Sequence, residues 1–335
     1  MTVIAAIDFS GPHLAEFGPP LAASVVYLTL YTRRVRTLAR QGRPVPAWRV
    51  ASFVAGVLLL ASVQVGPLDS LGDQVLIAHM IQHIIIGDFC SLLVVLGLTG
   101  PVLQPLLHIR PTRPLRVLSH PLIALALWAL NLYAWHVPLL YQLAIRVDLV
   151  HALEHACLFW FGTALWLALI GPLPKPRWFG GWGQIGYVIL VRFSGAILAN
   201  ILIWTQGVLY PVYRSSDAVR GLNPLSDQNV AGGIMMVEQI ILTTLLLGWL
   251  FYQFAIRDEE RQALLDLANE RGIPLSDERA ARAAAAGTTE RLRERLAAEE
   301  DQRAIPRSRS ASSTDSTAVP GSPGVNRTSG SSGAS

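Results

Sequence analysis

Seven long apolar runs, each separated from the next by a polar or Pro- and Gly-containing stretch, occupy residues 14–32, 49–67, 73–98, 118–137, 149–170, 184–207 and 229–255. Each is close to or above the ~20 residues that an α-helix needs to cross the hydrocarbon core of a bilayer. The pattern predicts an all-α polytopic membrane helix bundle with seven transmembrane helices. Basic residues alternate between the connections. Six Arg lie in 33–49, three in 99–117, and Lys175 with Arg177 in 171–183, against only Arg146, Arg214 and Arg220 in the alternate connections. Positive charge accumulates on the cytoplasmic side, which puts the N-terminus outside and the C-terminus in the cytoplasm. Trp135 and Trp204 fall near predicted outer ends and Trp48 and Trp178 near inner ones, where an amphipathic indole is favoured at the interface.

Composition divides the chain further. Of 335 residues 52% are hydrophobic and 15% charged, and the mean hydropathy is +0.41; once seven spans are allotted, no large extramembrane catalytic domain remains. The seven-span membrane domain takes 1–256. Residues 257–305 are rich in Ala, Leu, Glu and Arg and read as a charged helical cytoplasmic segment of two short helices, with Gly272 as a stop and Ser276 as a cap. Residues 306–335, mostly Ser, Gly, Thr, Ala and Pro, bury too little apolar surface to fold, and the sequon at Asn326 is inert in a cytoplasmic tail. The formal charge of +4 belongs to loops and gives no nucleic-acid-binding patch; the partner it implies is the lipid bilayer. Cys90 and Cys157 sit in apolar runs without CxxC spacing. Met1 to Phe17 contain no Lys or Arg, so the charged region of a cleavable signal peptide is missing, and the N-terminus is expected to be retained.

Candidate chemistry lies in the histidines. His79 and His83 fall in the outer half of the third predicted helix, His136 ends the fourth, and His151 and His155 open the fifth. Residues four apart share a helix face about 6 Å apart along the axis, so the sequence contains two imidazole pairs in one layer, with Glu154 on the face of His151. His136 alone reads first as a packing residue at a helix end. Paired polar residues inside a membrane are costly and usually face an interior site. Imidazoles with a carboxylate and a thioether suit copper, zinc or iron; Met80, Met235 and Met236 would favour Cu(I), although Met also serves as a flexible core filler. Haem is the chemical competitor, but a 6 Å stagger within each pair leaves no room for two stacked macrocycles, which leans the pairs toward a compact metal ion. Cys157 points away from the His face, and Cys90 lies deeper on it.

Deeper still, Asp88, Arg192 and Glu238 should pair with one another. Asp227, after Ser226 and before the seventh helix, reads as a helix cap or as a carboxylate orienting a His. His13 lies near the outer face, and His108 and His120 belong to an inner loop.

His79-Met80-Ile81-Gln82-His83, Trp135-His136-Val137-Pro138, His151-Ala152-Leu153-Glu154-His155 and Asp227-Gln228 before Gly232-Gly233-Ile234-Met235, in this order along a seven-span map, resemble the polytopic CtaG family of cytochrome c oxidase assembly factors. The resemblance covers roughly residues 20 to 255; Met236 stands where a Trp is expected. It implies a multi-pass protein of the bacterial inner (plasma) membrane that serves caa-type oxidase assembly without catalysing a reaction, and it implies no small-molecule substrate. Cytochrome c oxidase subunits are the implied partners and copper the implied metal, with His79, His83, His136, His151 and His155 as ligands and Asp227, Met80 and Glu154 in support. The alternatives are a copper transporter, a haem-binding redox protein, and a metal-free scaffold whose His only pack. Gln82, Asp88 and Glu238 give a thin polar trail for transport.

Overall fold

A computed structural model describes residues 13–108, 120–176 and 178–304. The retained N-terminus, Arg110, Arg113, Arg116, Arg177, the 306–335 tail and Asn326 lie outside the described residues. Those described form helices and no strands. In chain order they are α1 (His13–Arg40), α2 (Ala47–Val65), α3 (Pro67–Gly72), α4 (Leu76–Gly97, with a π turn at Ile85–Cys90), α5 (Gly100–His108), α6 (Pro121–Trp135), α7 (Pro138–Arg146), α8 (Asp148–Leu169), α9 (Trp182–Trp204), α10 (Arg214–Val219), α11 (Pro224–Glu270), α12 (Asp277–Ala286) and α13 (Thr289–Ala304). Five of them, α2, α4, α8, α9 and α11, are long and apolar enough to cross a membrane. The pair α6 and α7, bent by 72° at the break before Pro138, makes a sixth if it is one span. The span expected at 14–32 lies in α1, where Glu16, Pro19, Pro20 and the arginines from Arg33 onward dilute the apolar stretch.

The chain divides into two compact units between Gln253 and Phe254. In the first, α4 and α8 pack face to face. Gly162 of α8 lies against the backbone of Gly87 in α4 so closely that an added Cβ would fall 2.1 Å from the Gly87 carbonyl oxygen. At the far end of α4 from its histidines, an arginine and a tyrosine cap the helix: Arg49 Nη1 donates to the carbonyls of Leu96 (3.0 Å) and Leu98 (3.3 Å), and the Tyr31 hydroxyl donates to Gly97 (2.9 Å). Cations at a helix C-terminus satisfy the last carbonyls and oppose the macrodipole. Large side chains such as Leu130, Phe193, Ile240 and Leu245 remain exposed, which is the lipid-facing pattern of a bundle whose solvent is apolar.

Three details differ from the sequence expectation. Trp135 is buried and donates its indole N–H to Asn131 (3.0 Å), whereas Trp48, Trp178 and Trp204 are exposed. The connection after His136 is helical because Pro138, with its preset φ, opens α7 at the first helical position. In the second unit the charged segment is not two short helices: its first part continues α11 to Glu270, and Gly272 and Gly287, at φ of +60° and +63°, separate it from α12 and α13. Ser276 occupies the cap position of α12 but makes no side-chain cap bond. Leu264, Ala268, Ile273, Ala280, Leu292 and Leu296 form that unit's own core.

Candidate metal centre

The five predicted histidines come together. Ring centroids lie 4.1 Å apart for His79 and His83, 4.2 Å for His151 and His155, 5.3 Å for His79 and His151, 5.6 Å for His83 and His155, and 6.4 Å for His83 and His136. Two i, i+4 pairs on facing helices produce this layer because Gly162 lets α4 and α8 approach. Glu154, fully buried, projects between them with its carboxylate oxygens 3.8 Å from His79 Nε2 and 3.6 Å from His83 Nε2.

Among the described residues, the buried Nε2 of His79, His83, His136, His151 and His155 and both oxygens of Glu154 have no hydrogen-bond partner. A buried polar atom left unpaired costs about 1–3 kcal/mol, so seven in one layer mark a place where water or an ion can be taken up. A tetrahedral ion bound at 2.0–2.1 Å holds its donors about 3.3 Å from one another. The spacings of Glu154 to His79 and His83 lie within about half an ångström of that value, and one ligand atom from each of the three residues falls within 4.8 Å of the others. The donor set therefore fits a compact metal ion.

Neighbouring groups fix the donors. His136 Nδ1 lies 2.7 Å from the carbonyl of Leu132; that carbonyl can only accept, so the proton is on Nδ1 and the lone pair on Nε2. Above the cluster, Tyr213 donates to the Gly72 carbonyl (3.0 Å), Tyr141 donates to Tyr213 (3.0 Å), and Tyr210 donates to the His136 carbonyl (2.9 Å). Tyr213 has one hydroxyl proton, which the carbonyl takes, and this sets the direction of the Tyr141 bond. Burial, foremost, holds the phenols of the two loop residues Tyr210 and Tyr213 well above the ordinary tyrosine range, so both remain donors at neutral pH. The three tyrosines were absent from the sequence reading. Their signal was Tyr141 three residues after Pro138, and Tyr210 and Tyr213 flanking Pro211 in the connection between α9 and α10.

Asp227 touches no histidine. Its Oδ2 and Oδ1 accept from the backbone N–H groups of Leu76 (2.8 Å) and Ile77 (3.2 Å), so it caps α4 from α11. Asp227→Ala is expected to cost about 1–2 kcal/mol, read as a lower melting temperature in detergent. Met80 is buried beside the cluster. Together with Met235, His83 and His136 it lines a cavity of about 40 Å³ that extends to Asp88 and Glu238. Arg192 answers both of those carboxylates at 2.9 Å, the pairing expected from their depth. Gln82 donates to the Val63 carbonyl (2.8 Å) and to Asp69 (2.6 Å) and ties α4 to its neighbours. Cys90 packs in the core against α2, away from the cluster. His120 lies against Trp178, and the side chains of His13 and His108 are outside the described set.

Residues 29–256 match the family described as cytochrome c oxidase caa3 assembly factor, CtaG. The chain belongs to this family. Two uncharacterized mycobacterial proteins, one of Mycobacterium bovis and one of Mycobacterium tuberculosis, are each 25% identical to it over 277 residues, which is 74% of this chain and 41% of theirs. The chain thus spans about two-fifths of the length of the curated relatives it matches. No solved structure matches it. All the histidines of the cluster, with Glu154 and the three tyrosines, lie within the part that matches CtaG.

Proposed function

We propose that this CtaG protein holds copper in a buried histidine cluster and delivers it to a subunit of a caa-type cytochrome c oxidase during assembly, as a chaperone and not as an enzyme. The reading includes seven spans in the bacterial inner membrane, with the N-terminus outside. The cluster then lies in the outer half of the bilayer. One observation carries the proposal: one ligand atom each from His79, His83 and Glu154 lies within 4.8 Å of the others, and the buried Nε2 atoms of His136, His151 and His155 in the same layer also lack partners among the described residues. Imidazole ligands suit copper, and Met80 adds a soft donor beside them. Haem is less well supported, because a cavity of about 40 Å³ is far below the several hundred Å³ of a cofactor pocket.

The test is copper content of the detergent-purified full chain beside a His79→Ala/His83→Ala variant. Loss of an outer-shell partner alone costs 10–100-fold in metal affinity, so removal of two donors is expected to weaken copper binding by about 100-fold or more while the protein level is maintained. Oxidase activity in cells carrying the variant should fall with it. A wild type that stays empty after anaerobic loading with Cu(I) would overturn the copper reading in favour of a scaffold. Because the imidazoles must be neutral to act as ligands, occupancy should also fall once the pH is low enough to protonate them.

A further inference from the structure

Beneath the histidine layer, the cavity of about 40 Å³ has a donor set of its own. Met80 and His83 stand three apart on α4 and share a face; His136 comes from the end of α6 and Met235 from α11, and all four line the same space. A methionine acting as a core filler removes voids by adapting its three rotatable bonds. Here two buried methionines border a void instead of filling it. His83 and His136 meet the same space, each with a buried Nε2 that lacks a partner among the described residues. The remaining walls include the apolar Trp128, Leu132 and Leu158 and the polar Asp88, Glu238 and Gln239.

We infer that this cavity is a second, softer metal subsite, two thioethers and two imidazoles from Met80, Met235, His83 and His136, that takes a monovalent d¹⁰ ion of the Cu(I) class. The inference rests on the copper reading above and deepens it. Thioether donors select Cu(I), whereas imidazole with carboxylate suits harder ions as well. Two imidazoles that share one ion at about 2 Å from each nitrogen have ring centroids about 5.2 Å apart at a tetrahedral angle and about 6.4 Å apart when opposed; those of His83 and His136, 6.4 Å apart, would stand opposed across a Cu(I) ion, with the thioethers at its side. No carboxylate is needed to neutralise the ion, and the two nearest, Asp88 and Glu238, are already engaged by Arg192. His83 belongs to both subsites. A neutral imidazole has one lone pair, so His83 serves one subsite at a time, and an ion moving between the histidine layer and the thioether cavity changes partners on this ring.

The experiment is anaerobic Cu(I) titration of the full chain in detergent, followed by X-ray absorption at the copper edge. Because His83 serves one subsite at a time, one tightly held Cu(I) per chain is expected, with sulfur in part of its coordination shell. Met80→Leu/Met235→Leu, near-isosteric changes, should remove the sulfur signal and weaken Cu(I) binding about tenfold or more, leaving the remaining copper bound by nitrogen and oxygen alone. If that variant does not fold, wild-type protein labelled with selenomethionine gives the same answer without a substitution, because a copper–selenium distance replaces copper–sulfur. Copper bound only by nitrogen and oxygen overturns the thioether subsite and leaves the histidine-layer reading standing. Protein that binds no Cu(I) overturns both.

Discussion

Gly162→Ala is expected to abolish accumulation of folded protein. The added Cβ would fall 2.1 Å from the carbonyl oxygen of Gly87 and 3.0 Å from Ser91 Oγ, and a carbonyl within a helix cannot rotate aside as a long side chain can. Relief requires α4 and α8 to separate by about an ångström, because a carbon and an oxygen do not approach much below 3.2 Å. Overpacking of this kind costs about 3 kcal/mol or more, a large part of the 5–15 kcal/mol that holds a typical domain together. The same separation opens the 3.6 and 3.8 Å spacings across Glu154, so any protein that survives should bind metal poorly. Gly186→Ala in α9, where an added Cβ meets nothing within 4 Å, is the control. Size-exclusion profiles of detergent extracts should show the Gly162 variant reduced about tenfold or more, and the Gly186 variant unchanged. A normal monodisperse peak for Gly162→Ala would mean that the two helices do not meet at this glycine.

The second large effect is expected at Arg192. Its guanidinium is buried and bonds Asp88 through Nη2 and Glu238 through Nη1, each at 2.9 Å, while its plane lies over Trp166 at 5.5 Å. Arg192→Met leaves two carboxylates buried without a cation. Breaking a buried pair from one side costs about 3–5 kcal/mol, and here one cation serves two anions. Thermal unfolding in detergent should show a large drop for Arg192→Met. Arg192→Lys should recover part of the loss, because an ammonium keeps the charge and lacks the fork that spans both partners. Combining Arg192→Met with Asp88→Asn and Glu238→Gln should recover more, since the unpaired charges go with the cation. Unchanged melting of Arg192→Met would remove the structural role of this triad and return Asp88 and Glu238 to the transport trail.

Much of this was legible in the chain because it is local. HxxxH spacing on a helix places two imidazoles on one face whatever surrounds them, and the apolar runs located the helices that carry them. Glu154 was visible on the same ground, three residues after His151. What stayed hidden depends on long-range packing. Asp227 reads as a cap for its own helix, and nothing nearby in sequence says that it caps α4 instead. Trp135 looks interfacial until Asn131 and the bundle interior claim its indole. The tyrosine cover draws on residues 141, 210 and 213, joined only through Gly72 and His136. The Gly162 contact was silent because a glycine in an apolar run has no side chain to mark it. The extended α11 shows that an apolar-to-charged transition ends a span without ending a helix.

Asp227 also bears on how the protein is made. The carboxylate that completes the first turn of α4, the turn bearing His79, lies 151 residues downstream of Leu76. Until the last span has been synthesised and docked, the amide groups of that turn lack their partner and the glutamate-centred donor layer has an unanchored edge. Chains are made from the N-terminus at about 5–20 residues per second, so this protein spends roughly 4–14 s with both histidine pairs present and the cap still missing. A nascent or C-terminally truncated copy therefore carries every histidine of the cluster without the device that fixes the first of them, which couples competence of the centre to completion of the chain.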